Sequence, residues 1–251
     1  MSDLSESANE KIIKSKKRVQ NHGEVFTPKR IVKKMLDMPN ISEACQNLTS
    51  TFLEPAAGEG VFLVEVLKRK MKMVAENYGD DLTRFENYSL LALSTLYGIE
   101  LLEDNAQKCV MHMYQVYYET YYQQAQNHGA KVKNNVLDSA KLIISKNIAQ
   151  GNFLTKLSVN GNQIIFSEWQ PINIRKDAKV IKIKRTEYTI NDLLDGVQKE
   201  SGETSVHAIK DVQLDLFDFF DEIDKPKEKR MKYVPVKITD VYKEEMEEVD
   251  E

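Results

Sequence analysis

The sequence predicts an α/β fold, with a mostly parallel sheet flanked by helices. Short apolar segments have the length and composition of buried strands, and longer segments between them have helical periodicity. In the first of these longer segments, Phe62, Leu63, Val66 and Leu67 form one apolar stripe. Strands that alternate with helices form parallel sheets through right-handed crossovers, so the order of the segments predicts the fold class.

The N-terminal region is expected to have two parts. Residues 1–20 are polar, lack the apolar stretch of a signal peptide, and are predicted to form an arm. The sequence "TPKRIVKKMLDM" then predicts a helix, with Thr27 as the N-cap residue and Pro28 at the first helical position.

The body of the fold is predicted to extend over residues 21–200. Its expected strands are "STFLE", "LALSTLYGIE", "NIAQGNF", "QIIFSEW" and the alternating "AKVIKIKRTEYTI". Between the first three strands lie the predicted helices "GVFLVEVLKRKMKMVAENY" and "EDNAQKCVMHMYQVYYETYYQQAQ". The second helix carries a stripe of tyrosines, which we interpret as core packing.

Residues 201–251 are predicted to be an acidic, largely flexible tail that follows the linker "KESGETS". Residues 211–251 contain fourteen acidic and seven basic side chains, while the whole chain has a net charge of −4. The rest of the chain is therefore mildly basic, which permits a nucleic-acid partner without requiring one.

Composition also narrows the expected location of the protein. The two cysteines, Cys45 and Cys109, have no metal-ligand spacing, and a reducing compartment is the default interpretation. No apolar run is long enough to span a bilayer. We therefore expect a cytoplasmic protein with no membrane partner.

The stretch "FLEPAAGEG" at 52–60 predicts a ligand-binding loop, since ligands of open α/β sheets bind at the carboxyl ends of the strands. Gly58 and Gly60 allow a ligand to approach the main chain closely. The spacing is not that of a dinucleotide site, and no Walker lysine follows. Glu54 at the strand tip disfavours a phosphate and favours a cationic group.

An acid at the tip of the second strand, Glu100, is placed to accept hydrogen bonds from ribose hydroxyls. A ribose together with a cationic group fits S-adenosyl-L-methionine. The alternative interpretation of the same residues is a tight turn with an exposed Glu100.

Four motifs occur in a fixed order: "GEVFTP", "FLEPAAGEGVFL", "YGIELLEDN" and "NIAQGNFL". Together they resemble the class I methyltransferases that act on the amino group of DNA adenine, including restriction-modification subunits. The resemblance covers roughly residues 20–155. It implies a Rossmann-like class I methyltransferase fold, here truncated at its C-terminal strands, that binds S-adenosyl-L-methionine.

The resemblance also implies which residues hold the cofactor. Glu100 would bind the ribose, with Leu101 against the adenine, and Asn152 and Phe153 would lie at the adenine ring. This family more often has Asp at the position of Asn152. The methionine end would be lined by Phe26, Thr27 and Pro28. The cofactor loop would consist of Glu54, Pro55, Ala57, Gly58 and Gly60.

The catalytic motif of that family is missing. Those enzymes carry Asn/Asp-Pro-Pro-Tyr/Phe at the end of the next strand, where it binds the adenine amine and stacks on the flipped base. Here the corresponding strand reads "QIIFSEWQPIN", so that residues 167–170 occupy the place of the motif. Glu168 and Trp169 are weak candidates for accepting a hydrogen bond and for stacking. The alternative is that Trp169 anchors the core and Glu168 is a surface acid.

The sequence also lacks the patterned length for the last strands of a full sheet and a target-recognition domain. A separate recognition subunit would then supply target recognition, or the fold serves another purpose. Two functions remain open. The first is a DNA adenine-N6 methyltransferase of bacterial or phage DNA metabolism; the second is a catalytically inactive homologue that acts as an interaction or regulatory protein.

The tail contains "QLDLF", which resembles the short peptide by which bacterial proteins dock on the replicative sliding clamp. The resemblance implies that Gln213, Leu214, Leu216 and Phe217 bind this partner. Apolar residues in a polar tail favour an interaction site. The alternative is an amphipathic segment that packs on the body.

Overall fold

The computed structural model describes residues 12–172, 174–175, 178–205 and 231–249. It is a mixed α/β structure, as the sequence predicts. We number the helices α1 to α8 in chain order: Lys16–His22, Lys29–Leu36, Pro39–Cys45, Val61–Tyr78, Leu82–Leu93, Glu103–Asn127, Asn134–Asn147 and Ile190–Leu194. The strands, β1 to β9, are Phe52–Glu54, Leu96–Glu100, Ile148–Asn152, Leu157–Ser158, Ile165–Ile172, Lys182–Thr189, Met231–Tyr233, Val236–Lys237 and Met246–Glu248. A 3-10 helix spans Ile238–Lys243.

The first sheet is mostly parallel. Its strand order is β1-β2-β3-β4, in which β1, β2 and β3 run parallel and the short β4 runs antiparallel to β3. The register places Leu53 beside Tyr97 and Ile99 beside Ala149. The carboxyl ends of the three parallel strands therefore meet at one edge of the sheet.

The two faces of this sheet are covered by different layers. On one face, a Cβ added to Gly98 would lie 2.8 Å from Leu63 of α4, so the helix packs directly against the strand. On the other face, Ile99 packs with Ile164 and Phe166, and the rings of Tyr97 and Phe166 are 5.4 Å apart. Helices thus cover one face, and the segment that contains β5 covers the other.

The main core lies among the helices. Tyr117 and Tyr121 of α6 are fully buried in it, which confirms the prediction of core packing for these two tyrosines of the stripe. Tyr118 and Tyr122 lie on the exposed side of the same helix. None of the helices among the described residues is both long and apolar enough to cross a membrane.

The strand expected to carry the catalytic motif is present, but it does not extend the parallel sheet. β5 pairs along its whole length with β6 in an antiparallel sheet of order β5-β6-β8. Only residues 153–164 separate β3 from β5, and they contain β4 and no helix. A parallel crossover usually contains a helix, and this connection of twelve residues contains a short strand instead, which favours an antiparallel arrangement.

The N-terminal expectations need two corrections. Within the predicted polar arm, Ser15 caps helix α1 through its side chain, and Arg18 of this helix pairs with Glu24 and Asp104. Helix α2 begins one residue later than predicted, with Pro28 rather than Thr27 at the N-cap and no side-chain cap. Ion pairs with a distant helix hold α1, and such pairs cannot be inferred from local polarity.

The boundary of the predicted tail also differs. The expected linker packs on β6: Ser205 is buried and donates a hydrogen bond from Oγ to the carbonyl of Glu187 at 2.9 Å. Farther along, β7 pairs with β9, and Ile238 and Val241 of the 3-10 helix are buried in the main core. Residues 231–249 therefore belong to the folded body, because a few apolar side chains anchor an otherwise charged segment.

Candidate functional site

A cavity of about 440 Å³ lies at the carboxyl ends of the parallel strands, and we call it the strand-end pocket. Three loops and the segment before α2 build its walls. They contribute His22, Gly23, Glu24, Val25, Phe26, Pro55, Ala56, Gly58, Glu100, Leu101, Leu102, Asn105, Gly151, Asn152, Phe153 and Leu154. All four sequence motifs therefore contribute to one cavity.

Most of the predicted cofactor-binding residues lie at this cavity or beside it. The strand-end pocket is lined by Phe26, Pro55, Gly58, Glu100, Leu101, Asn152 and Phe153. An adjoining side cleft of about 100 Å³ shares Phe26 and Gly58 with it and adds Thr27, Glu54 and Ala57. Pro28 and Gly60 line neither cavity.

The two glycines of the loop have different structural roles. Gly58 has φ +55°, and a Cβ there would lie 3.4 Å from the ring of Phe26. The absence of a side chain at this position leaves space in the pocket beside the Phe26 ring. Gly60 has φ +85°, and a Cβ there would lie 2.7 Å from Sγ of Cys109. Gly60 therefore permits the close packing of α4 against α6, and a ligand contact at this residue stays a prediction.

The carboxylate of Glu100 organises the floor of the pocket. Oε2 accepts a hydrogen bond from the main-chain N–H of Gly58 at 2.7 Å, and Oε1 accepts one from Leu102 at 3.0 Å. Nδ2 of Asn105 lies 3.4 Å from Oε1. A carboxylate offers about four acceptor positions, so these three donors leave capacity for a ligand hydroxyl. The alternative of a freely exposed Glu100 is wrong, since this side chain is buried.

Glu24 is a pocket residue that the sequence analysis did not select, although it lies inside the first motif. Its carboxylate accepts hydrogen bonds from Arg18 at 2.6 and 2.7 Å and from Nδ2 of Asn105 at 2.7 Å. The hydrogen bond from Arg18 holds the pKa of Glu24 below its usual value. Because Arg18 also pairs with Asp104, helix α1 fastens the first motif to the start of α6.

Two acids of the glycine loop differ in their environment. Burial raises the pKa of Glu54 at the tip of β1, and only a long contact of 3.4 Å with the N–H of Ala56 opposes this effect. Glu59 instead pairs with Lys108 at 2.7 Å and with Lys14 at 3.0 Å. Glu54 is thus the loop acid whose charge lacks a basic partner among the described residues, which suits a cationic ligand group.

Asn152 stabilises the turn after β3. Its Oδ1 accepts a hydrogen bond from the N–H of Leu154 at 2.8 Å, and Phe153 lies between these residues in the pocket wall. An aspartate carboxylate would accept the same hydrogen bond, so Asn152 in place of the more usual Asp is compatible with the same turn.

Trp169 lies away from the strand-end pocket. The side chain is 5% exposed, and Nε1 donates a hydrogen bond to Oδ1 of Asn147 at 2.9 Å. The guanidinium of Arg185 lies 5.3 Å from the ring centre. This environment matches the core-anchor alternative and excludes Trp169 as a stacking surface in this conformation.

Glu168 alternates with Trp169 along β5 and is exposed on the opposite face. It lines a separate cavity of about 350 Å³ beside β1, with Phe52, Leu53 and Tyr97 among its neighbours. Neither weak catalytic candidate therefore lines the strand-end pocket. The predicted clamp-binding residues Gln213, Leu214, Leu216 and Phe217 lie outside the described residues.

Comparison of the chain with protein-family models, curated proteins and solved structures found no match.

Proposed function

We propose that the chain is a methyltransferase-like protein that binds S-adenosyl-L-methionine in the strand-end pocket. The observation that carries this proposal is the convergence of four separated motifs on one cavity of about 440 Å³. This volume falls in the range of about 300 to 1,000 Å³ that small-molecule sites usually have.

The chemistry of the walls supports the same ligand. Glu100 has acceptor capacity for ribose hydroxyls, and Leu101 and Phe153 supply apolar surface for a planar base. Glu54 in the side cleft supplies the negative charge that a sulfonium and an amino group require. When bound, the cofactor would supply an electrophilic methyl group; the residues described here bind and orient it.

For the methyl acceptor, we propose DNA adenine, on the basis of the motif resemblance. In this proposal the chain is a Rossmann-like adenine-N6 methyltransferase, and a separate recognition subunit supplies target selection. The second candidate function is a non-catalytic homologue that keeps the cofactor pocket. The positions of Trp169 in the core and Glu168 in the other cavity favour this second candidate.

Calorimetry with S-adenosyl-L-methionine tests the binding proposal. Glu100→Gln should weaken binding about tenfold or more, because a charge-assisted hydrogen bond contributes about 1.5 to 3 kcal/mol. Glu103→Gln is the matched control, since Glu103 is exposed and bonds only to Gln107 of its own helix. Equal affinity in both variants, or no binding by the wild type, would reject the pocket assignment.

Transfer of a labelled methyl group to DNA separates the two candidate functions. Wild-type protein that binds the cofactor and methylates DNA is an enzyme. Protein that binds the cofactor and transfers nothing to single- or double-stranded DNA, with and without purified sliding clamp, is the non-catalytic homologue.

A further inference from the structure

The chain concentrates positive charge in the segment that contains α1, part of the pocket wall and α2. Residues 12–36 contain eight basic side chains and one acidic side chain, although the whole chain has a net charge of −4. The eight bases are Lys14, Lys16, Lys17, Arg18, Lys29, Arg30, Lys33 and Lys34. A charge of this density on one segment is the electrostatic signature of a polyanion site.

Not all of this charge is available to a partner. Lys14 pairs with Asp104 at 2.8 Å and Arg18 pairs with Glu24 at 2.6 Å, so internal acids neutralise these two bases. The other six are exposed, and apart from Lys29 none of them has an acidic group at ion-pair distance within the described chain. We call the remaining five the basic face: Lys16, Lys17, Arg30, Lys33 and Lys34.

Helix geometry places the α2 bases together. At 100° per residue, Arg30, Lys33 and Lys34 fall within one arc of α2. Val32 and Leu36, which are buried in the core, lie on the opposite side of the helix. The basic side chains of α2 therefore project as one group away from the core.

In the sequence, the residues of the basic face lie before and after the segment that contributes the pocket wall. Lys17 precedes the wall segment 22–26 on α1, and Arg30 follows it on α2. The internal pairs of Arg18 with Glu24 and Asp104 fix α1 against the start of α6. The α2 bases follow the wall segment by only a few residues, so a polyanion bound to α2 would lie next to the segment that builds this wall.

From this arrangement we infer that the basic face binds the phosphate backbone of a nucleic acid. Arg30 and Lys34 are separated by about 6 Å along the axis of α2, which corresponds to about two phosphates of one strand at about 3.4 Å of duplex axis each. An anionic membrane would require apolar side chains next to the bases. The arc of the α2 bases contains no apolar residue, and Asp37 directly after the helix continues it. Exposed apolar side chains do lie elsewhere in the same region, at Ile12, Ile13, Val25, Met35 and Met38, so vesicle binding is the alternative that the experiment has to exclude.

Fluorescence anisotropy with labelled duplex DNA, single-stranded DNA and duplex RNA tests this inference. The exposed triple variant Arg30→Gln/Lys33→Gln/Lys34→Gln should bind at least about tenfold more weakly than the wild type. The slope of log K against log salt should also fall by about two to three, since each phosphate contact contributes about 0.9. The three probes distinguish the kinds of nucleic acid that present this backbone.

The matched control is Lys72→Gln/Lys141→Gln/Lys182→Gln, which removes three exposed lysines outside the basic face. It should leave nucleic-acid affinity within about twofold of wild type. Absence of binding to all three probes, or equal losses in both triple variants, would overturn the inference. So would binding to phosphatidylserine vesicles, lost in the first variant, without binding to any nucleic acid.

The inference does not depend on the cofactor. The first triple variant should retain the wild-type affinity for S-adenosyl-L-methionine in calorimetry. Nucleic-acid binding that depends on the basic face, in a protein that binds no cofactor, would leave the inference standing and reject the proposed function.

Discussion

Lys70 is a charged residue with no exposed surface, and it predicts a pH dependence of stability. Nζ donates to the carbonyls of Asn47 and Ser50, both at 2.8 Å, and burial lowers the pKa of Lys70 to about 8. The unfolded chain retains the ordinary pKa, so between about pH 8 and 10.5 the unfolded state binds more protons. The free energy of unfolding should therefore rise over this range, by at most about 3 kcal/mol.

Urea unfolding at several pH values checks this expectation. The comparison is with Lys70→Met, which removes the titrating group and leaves the carbonyls of Asn47 and Ser50 without this donor. The variant should be less stable below pH 8 by about 1 to 3 kcal/mol and should lack this part of the rise. Parallel pH profiles for the two proteins would contradict the prediction.

The hydrogen bond between Trp169 and Asn147 gives a second residue-scale prediction. Trp169→Ala should destabilise the fold by about 3 to 5 kcal/mol, since it removes a large buried ring. Trp169→Phe keeps most of the packing and should cost about 1 to 3 kcal/mol, because Oδ1 of Asn147 loses its donor. Glu168→Ala, at the exposed neighbour, should stay within about 0.5 kcal/mol of wild type.

Thermal and urea unfolding of these three variants measure the order of their stabilities. If the ring of Trp169 were exposed to stack on a nucleic-acid base and did not pack in the core, Trp169→Ala would have the stability of the wild type. The sequence identified Trp169 as one of two alternatives, and the buried amide of Asn147 decides between them. That amide lies 22 residues earlier in the chain, so no local pattern could reveal the pairing.

At the scale of elements, the contact between α4 and α6 depends on the absence of one side chain. Gly60→Ala would place a methyl group 2.7 Å from Sγ and 3.1 Å from Cα of Cys109. The backbone contact cannot yield, so the variant should lose about 2 to 4 kcal/mol. Gly129→Ala is the control, because Gly129 also has a positive φ but has no atom within 4 Å of the added Cβ.

Chemical denaturation compares the two variants. Gly129→Ala should cost only the strain of the left-handed conformation, about 1 kcal/mol. Equal losses in the two variants would show that the packing against Cys109 contributes nothing. The sequence predicted both glycines of the loop as ligand contacts, because close approach of a ligand and close approach of a helix favour the same residue.

Part of the elements could be predicted, and their pairing less so. Periodicity placed α4 and α6, and short apolar runs placed β1, β2 and β3, whereas α3, α5 and α7 were not predicted. Alternation also revealed β6 as a strand, but it did not reveal its partner. The short connection from β3 to β5 was the available signal for the separate antiparallel sheet.

At the scale of the whole molecule, we predict that the segment "QLDLF" at residues 213–217 docks on a sliding clamp. Leu216 and Phe217 are the expected anchors, and buried anchors cost about 2 kcal/mol or more each on truncation. A peptide of residues 212–220 should therefore bind the purified sliding clamp. Leu216→Ala/Phe217→Ala should abolish this binding, about a thousandfold if the losses add.

The same double variant distinguishes docking from packing. Docking predicts an unchanged melting temperature and unchanged cofactor affinity in the full-length protein. Packing on the body predicts a lower melting temperature in the variant and no clamp binding by the peptide. A pull-down and a thermal melt on the same proteins measure both outcomes.

The sequence anticipated most of the candidate site because its residues lie in local motifs at strand ends. It did not anticipate the contribution of α1, whose Arg18 reaches Asp104 across 86 positions of the chain. Such contacts depend on how elements meet, and local polarity only suggested an arm. The ion pairs between segments far apart in the sequence are therefore the part of the site that could not be predicted from the sequence.

The shortness of β1 has a consequence for solubility. β1 lies at the end of the described strand order, so one side of it can meet other chains. Long, flat, apolar edge strands are templates for aggregation. β1 has only three residues and ends at Pro55, which has no N–H to donate, although Leu53 is 48% exposed. A foreign strand would find few main-chain partners along this edge, so we expect little self-association of the protein through β1.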